Sequence, residues 1–182
     1  EKDIVVAACT KDGRALEFCP PGIVRNELTA DRDFMMTVLK QDGGPMLRLV
    51  PEPLRRDREL LLEALAHGMR FRFCPTQYQT DPTFLVAAVT RKSEIYFEMN
   101  RTLQAVPEIA LAAVVAGDST PAVHRRAMET VPSLKSDRNV VLALSARGDA
   151  SFLKEFFTEA DVAFKDDKEI MMTAVARDTK LF

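Results

Sequence analysis

The chain has 182 residues, 47% of them hydrophobic, enough for a real core, and one folded unit is the default at this length. Its 25 basic residues stand against 27 acidic ones, and a net charge of -2 gives no electrostatic reason to expect nucleic acid or an anionic membrane as partner. The longest uninterrupted apolar run, Ile109 to Ala116, falls far short of the roughly 18 residues of a spanning helix, which excludes a direct membrane span.

One short motif recurs along the chain. It opens at Glu1 as Glu-Lys-Asp-Ile-Val-Val-Ala-Ala-Cys and at Asp31 as Asp-Arg-Asp-Phe-Met-Met-Thr-Val-Leu. Asp57 opens Asp-Arg-Glu-Leu-Leu-Leu-Glu-Ala-Leu, and Asp81 opens Asp-Pro-Thr-Phe-Leu-Val-Ala-Ala-Val. Val106 begins a weaker copy, Val-Pro-Glu-Ile-Ala-Leu-Ala-Ala-Val. Asp137 opens Asp-Arg-Asn-Val-Val-Leu-Ala-Leu-Ser, and Asp167 opens Asp-Lys-Glu-Ile-Met-Met-Thr-Ala-Val. Starts at 1, 31, 57, 81, 106, 137 and 167 leave spacings of 24 to 31 residues, which suit a helix pair with loops of variable length.

Each position in the motif has a physical reason. Asp at the head is an N-cap for the free N–H groups of the first turn. Pro82 and Pro107 follow the cap, where a missing N–H costs nothing. Asp3, Asp33, Glu59, Glu108 and Glu169 lie near the positive end of the helix dipole. Three apolar residues in a row make a helix that is apolar over most of its circumference and must be sandwiched between neighbours. Stops are expected at Asp12-Gly13, Asp42-Gly43, Gly68, Gly117 and Gly148, where glycine accepts left-handed C-cap geometry.

A shorter second helix is expected after each stop, at Ala15 to Phe18, Met46 to Leu49, Phe71 to Phe73, Ile95 to Phe97 and Phe152 to Phe157. Arg70-Phe71-Arg72-Phe73 alternates like a strand, but its counterparts favour a helix. Cys19-Pro20, Val50-Pro51, Cys74-Pro75 and Val131-Pro132 close the pairs, because proline disfavours helix at the residue before it. Pro121 is expected to interrupt the second segment of the fifth copy. These features specify an all-α fold class: tandem helix-turn-helix repeats over residues 1–182, stacked as an α-solenoid-like array. The chain opens without Met and stops early in a seventh copy, which carries the expectation of a longer or processed protein whose targeting segment is not visible.

The head and turn pattern resembles the tandem helical repeats of the family called domain of unknown function 4116. Asp167 to Val175 is the nearest copy, followed by Asp31 to Leu39 with Gln41-Asp42-Gly43. The resemblance implies tandem occurrence, largely in protists and some intracellular bacteria, and brings no catalytic residue or cofactor with it.

The residues that carry chemistry elsewhere have plainer explanations here. His67 ends a first helix and His124 stands beside Arg125 and Arg126, and neither has a sequence neighbour that would make a metal or catalytic pair. Cys9, Cys19 and Cys74 are odd in number and read as reduced, buried thiols; Cys19 and Cys74 share a slot that Val50 and Val131 fill elsewhere. Arg147-Gly148-Asp149 falls on an expected turn, and Asp31-Arg32-Asp33 and Asp166-Asp167-Lys168 combine a cap with a dipole partner. Eight methionines read as core filler, and the clusters Arg55, Arg56, Arg58 and Arg125, Arg126 as solvated faces. No catalytic, cofactor or metal site is expected.

Shape without reactive groups makes the expected function a non-enzymatic interaction scaffold with other proteins as partners. Its specific form is an accessory subunit of a large intracellular assembly, such as a photosystem or another membrane-bound energy-converting complex of a chloroplast or mitochondrion. The alternative is the targeting module of an enzyme or effector whose catalytic domain lies elsewhere. The expected partner surface runs along the second-helix and loop edge: Arg48, Glu52, Arg70, Arg72, Glu94, Tyr96 and Glu98.

Overall fold

The computed structural model describes residues 2–147, Leu153, Phe156, Phe164 and 166–177, and all regular structure among them is helical. The contacts divide the chain into two units, Glu1–Ala88 and Val89–Phe182. In the first unit α1 (Lys2–Cys9) is followed by a 3-10 helix, Gly13–Phe18, then α2 (Ile23–Ala30) and α3 (Arg32–Val38). A π-helical turn, Leu39–Gly43, and a 3-10 helix, Gly44–Leu49, lead to α4 (Glu52–Arg55) and α5 (Arg58–Ala66). After a 3-10 turn, Phe71–Phe73, come α6 (Thr76–Gln79) and α7 (Pro82–Arg91), which carries the chain across the division. The second unit holds α8 (Ile95–Glu98), α9 (Arg101–Gln104), α10 (Pro107–Val115), α11 (Pro121–Thr130), a 3-10 helix at Pro132–Ser136, α12 (Arg138–Arg147) and α13 (Lys168–Arg177).

The first helices begin where the motif puts them. Asp31 accepts from the N–H groups of Asp33 and Phe34 at 3.0 Å each, and Asp57 does the same for Glu59 and Leu60. Asp81 caps through Thr83 at 2.9 Å, Asp137 through Asn139 at 2.8 Å, and Asp167 through Glu169 at 3.0 Å. Val106 offers no side-chain cap, and Pro107 at the first helical position leaves one fewer N–H to satisfy. The head at Glu1 lies outside the described residues.

Two expectations about the segments after the first helices need correction. The second segments at Gly13–Phe18, Gly44–Leu49 and Phe71–Phe73 are 3-10 rather than α-helical. Each is a short piece held between a tight turn and an extended residue, and there the tighter i to i+3 helix fits. The proline-marked stretches are not plain loops. The residue before proline is extended, as at Cys19 (ψ 122) and Cys74 (ψ 144), and the chain then forms a third, short helix: α2, α4 or α6. Met99 is extended too (ψ 151) without a proline after it, because the Asn100 side chain caps α9 through the Leu103 N–H instead. The buried slot shared by Cys19, Val50, Cys74 and Val131 therefore takes Met99 as well.

Pro121 does not interrupt the fifth copy. It is the first residue of α11, and Thr120 caps that helix through the Val123 N–H. Of the expected glycine stops, Gly68 alone among the described residues has a left-handed backbone, at φ 100. Gly13 starts its 3-10 helix behind an Asp12 cap, Gly43 lies in the π-helical turn, and α10 closes at Ala116 before reaching Gly117. Gly148 lies outside the described residues, as do Asp149 and most of the segments 152–157 and 160–166, although Leu153 and Phe156 are both buried.

The apolar triplets supply much of the core, although Ile4 in the first copy (74% exposed) and Met172 in the last (63% exposed) are not sandwiched as expected. Leu60, Leu61 and Leu62 are buried in succession, so α5 is enclosed on all sides, as its composition requires. Phe84 and Leu85 of α7, Ile109 and Ala110 of α10, and Val140 and Val141 of α12 are buried likewise. In the first unit α3 packs on α5; in the second α10 packs on α11 and α12, and α12 on α13.

Polar links tie the heads of neighbouring copies together within each unit. Arg32 donates to both oxygens of the Asp57 cap, at 2.8 and 3.3 Å, and Arg138 does the same to Asp167 at the same distances. Arg138 also reaches Glu169 at 2.7 Å, while Arg58 donates to the Thr83 carbonyl at 3.2 Å. Hydrogen bonds from Arg32 lower the Asp57 pKa despite burial, and those from Arg138 lower that of Asp167. The other ends of the helices meet as well. The Ser93 N–H donates to the Asp118 carboxylate at 3.1 Å, and Gly44 lies so close to α5 that an added Cβ would come within 2.4 Å of the Ala64 carbonyl oxygen.

Gly44→Ala is therefore expected to destabilise the fold by about 1–3 kcal/mol, the usual cost of overpacking, read as a fall in the urea midpoint. Asp57→Ala should cost about 0.5–2 kcal/mol through loss of the cap. Asp57→Asn keeps a capping oxygen and removes the charge. Because the folded pKa of Asp57 is depressed, its ionic contribution is complete above the unfolded carboxylate range and is lost as pH falls through the folded value. Wild type and Asp57→Asn should thus differ at neutral pH, begin to converge near the unfolded carboxylate value of about 3.9, and coincide only below the folded value. A stability gap unchanged between neutral pH and strongly acidic pH would refute the link.

Candidate functional site

The short 3-10 segments do not cover the edge of the first unit completely. Between Gly44–Leu49, α4 and the turn that runs from Gly68 into Phe71–Phe73 lies a cleft of about 620 Å³. Leu47, Leu61 and Met69 supply buried apolar walls, with Pro45 and Pro75 at the margins. Arg48, Glu52, Arg55, Arg70 and Phe73 stand around the opening. The volume suits a site for a small molecule or a few residues of peptide, and an apolar interior with a few polar groups is the usual make-up of such a site.

Charge is unevenly committed around this opening. Arg48 pairs with Glu17, which belongs to the preceding copy. Glu52 is shared between Arg55 at 3.5 Å and Arg56 at 3.0 Å. Among the described residues no carboxylate pairs with Arg70. The Arg72 guanidinium lies 4.9 Å from the centroid of the Phe73 ring, a cation–π contact that holds an aromatic side chain which is 63% exposed.

Of the seven residues expected to form a partner surface, Arg48, Glu52 and Arg70 line this cleft, and Arg72 lies exposed beside it. Glu94 and Glu98 are exposed but belong to the second unit. Tyr96 does not belong to this surface: it is fully buried. Its hydroxyl donates to the Gln104 carbonyl at 2.6 Å and lies 2.8 Å from Thr130 Oγ1, and the Gln104 amide in turn donates to the Tyr96 and Met99 carbonyls, at 2.9 Å each. Burial raises the Tyr96 pKa, so the phenol stays protonated as the donor this network needs. The expected exposure of Tyr96 fails because α8 is a single helical turn that buries Ile95 and Tyr96 together and exposes Phe97 and Glu98.

The other residues considered from the sequence do not converge on a reactive centre. Cys9, Cys19 and Cys74 are buried and form no disulfide, and desolvation raises the Cys9 pKa, which keeps the thiol protonated. His67 closes α5 with its Nε2 3.2 Å from Glu63, and His124 is buried on α11. Among the described residues, no three His, Cys, Asp or Glu side chains are grouped to hold a metal ion. Met35, Met46, Met69, Met99 and Met128 fill the core, whereas Met172 is exposed. No helix among the described residues is long and apolar enough to cross a membrane. The cleft itself is not legible in the sequence: Arg48 and Arg70 read as exposed, but nothing in their spacing predicts the apolar hollow between them.

Residues 31–79 match the model of a family described as Domain of unknown function (DUF4116), about a quarter of the chain. The resemblance seen in the Asp-Arg heads and Asp-Gly turn is thus shown over that span. The match runs from the Asp31 cap to the end of α6 and takes in two successive copies, the Arg32–Asp57 link between them and every residue lining the cleft. No curated protein matches the chain, and no solved structure does.

Tyr96→Phe should lower stability by about 1–3 kcal/mol, because the buried Gln104 carbonyl loses its short hydrogen bond. It should leave binding of any partner at the exposed edge unchanged. Thermal melts alongside a binding assay separate the two, and weakened binding by a fully folded Tyr96→Phe would return Tyr96 to the surface.

Proposed function

We propose that this chain is a non-enzymatic interaction scaffold, an accessory subunit that binds other proteins through the exposed edge of stacked helical copies. The observation that carries this reading is the recurring link between neighbours: Arg32 to the Asp57 cap, Arg58 to the Thr83 carbonyl, Arg138 to the Asp167 cap. Such links join the copy at 31 to that at 57, 57 to 81 and 137 to 167, and support an α-solenoid-like stacking there, in which a copy completes the burial of its neighbour. Stacking of this kind spends the polar groups of the helix ends on structure and leaves the turns and short helices as the working surface. The lowered carboxylate pKa values at Asp57 and Asp167 have this structural cause and do not mark an acid–base pair.

Partners of the kind expected are one or more proteins of a larger assembly. Gentle purification of the native protein, followed by size analysis and mass spectrometry of the proteins that accompany it, tests the reading. A stoichiometric co-purifying complex, with crosslinks from the exposed turn edge to another polypeptide, is the expected result. A monodisperse monomer with no crosslinked partner would overturn it, and a catalytic domain on the same polypeptide would replace it with a targeting role.

A further inference from the structure

Resting on this interaction reading, we infer that the cleft between Gly44–Leu49, α4 and Phe71–Phe73 receives an acidic peptide segment of a partner protein, anchored by an apolar side chain. The occupant's charge is set by the opening. Of the three guanidinium groups that line the cleft, Arg48 pairs with Glu17 and Arg55 shares Glu52 with Arg56, so four arginines stand against two carboxylates there. Arg70 has no carboxylate partner among the described residues, and an arginine in that condition beside an apolar hollow suits a bidentate carboxylate. A basic or neutral polar peptide would cover the Arg70 guanidinium without giving it a counter-charge.

The apolar part of the occupant is set by the walls and by Phe73. Met69, Leu47 and Leu61 present buried apolar surface to a hollow of about 620 Å³, too large for one methyl group and suited to a leucine-sized or aromatic side chain. Phe73 stands at the mouth, exposed and braced by Arg72. Aromatic residues and arginine are both enriched at protein interfaces. The exposed aromatic also recurs along the edge. Phe18, 85% exposed, precedes the buried Cys19 as Phe73 precedes the buried Cys74, with the half-buried Leu49 before Val50 between them. That row extends the contact from the cleft toward the first copy, and an extended segment follows it better than a compact ligand does.

The test uses the full chain and two fluorescent probe peptides, one of alternating aspartate and leucine and one with lysine replacing aspartate. The acidic probe should bind, with affinity falling as salt is raised, and the lysine probe should not. Arg70→Glu should weaken the acidic probe by about tenfold or more, since it replaces attraction with repulsion at the rim of the cleft. Phe73→Ala should weaken it as well, and Glu94→Lys in the second unit should not. Both Arg70 and Phe73 are exposed, so circular dichroism and melting should show the variants folded. Equal binding of the two probes, or unchanged binding by folded Arg70→Glu, overturns the inference. Co-purification with the same variants separates it from the reading beneath: a partner retained in full by Arg70→Glu and Phe73→Ala leaves the scaffold standing and removes the cleft from it, whereas absence of any partner from the wild-type chain removes both.

Discussion

At two of the first helices, those headed by Asp57 and Asp167, the head carboxylate does two jobs, and the arrangement of those neighbours depends on it. Asp57 accepts from two backbone N–H groups of its own helix and from the guanidinium of Arg32 one copy earlier. Asp167 repeats the arrangement with Arg138. The cap alone would start a helix anywhere. The arginine directs that start toward the start of the preceding helix, so the two N-termini lie side by side and the apolar triplets behind them face each other. An exposed ion pair contributes little by itself, and most of the stability comes from the triplets. The pair's value is in register, since it can form only when the helices are aligned head to head.

Enclosing a helix such as α5 on all sides has a consequence at its far end. The chain must turn back within a few residues and lie flat against the neighbour's last turn. Gly44, which faces the Ala64 and His67 carbonyl groups with no room for a side chain, makes that approach feasible. The returning segment is short and winds as a 3-10 helix. Segments this short leave a hollow floored by the buried side chains of Leu47, Leu61 and Met69. The cleft is thus a by-product of the packing that holds copies two and three together, and the arginines around it give it a chemical preference.

Much of this is legible in residue order. The five Asp heads, the apolar triplets and the breaks at X-Pro are local signals, because an N-cap, a buried stripe and a proline's clash with the preceding residue each act over a few residues. The second segments are harder. A short apolar stretch between two breaks carries no periodicity long enough to separate α from 3-10. The third helices escape a reading of the sequence because four residues such as Glu52 to Arg55 or Thr76 to Gln79 look like loop when read alone. Tyr96 has the amphipathic character of a surface residue, and it is buried because Gln104 and Thr130 surround its hydroxyl with partners.

Sequence alone determined the helical class, the starts of the first helices and the residues that had to be buried, since each of these arises from interactions among near neighbours. Tertiary structure alone decided which carboxylate meets which arginine across some 25 residues or more, where glycine is sterically required, and that Arg48, Arg55 and Arg70 surround one apolar hollow. These depend on distances between separate helices, and a one-dimensional pattern holds no record of them until the triplets pack.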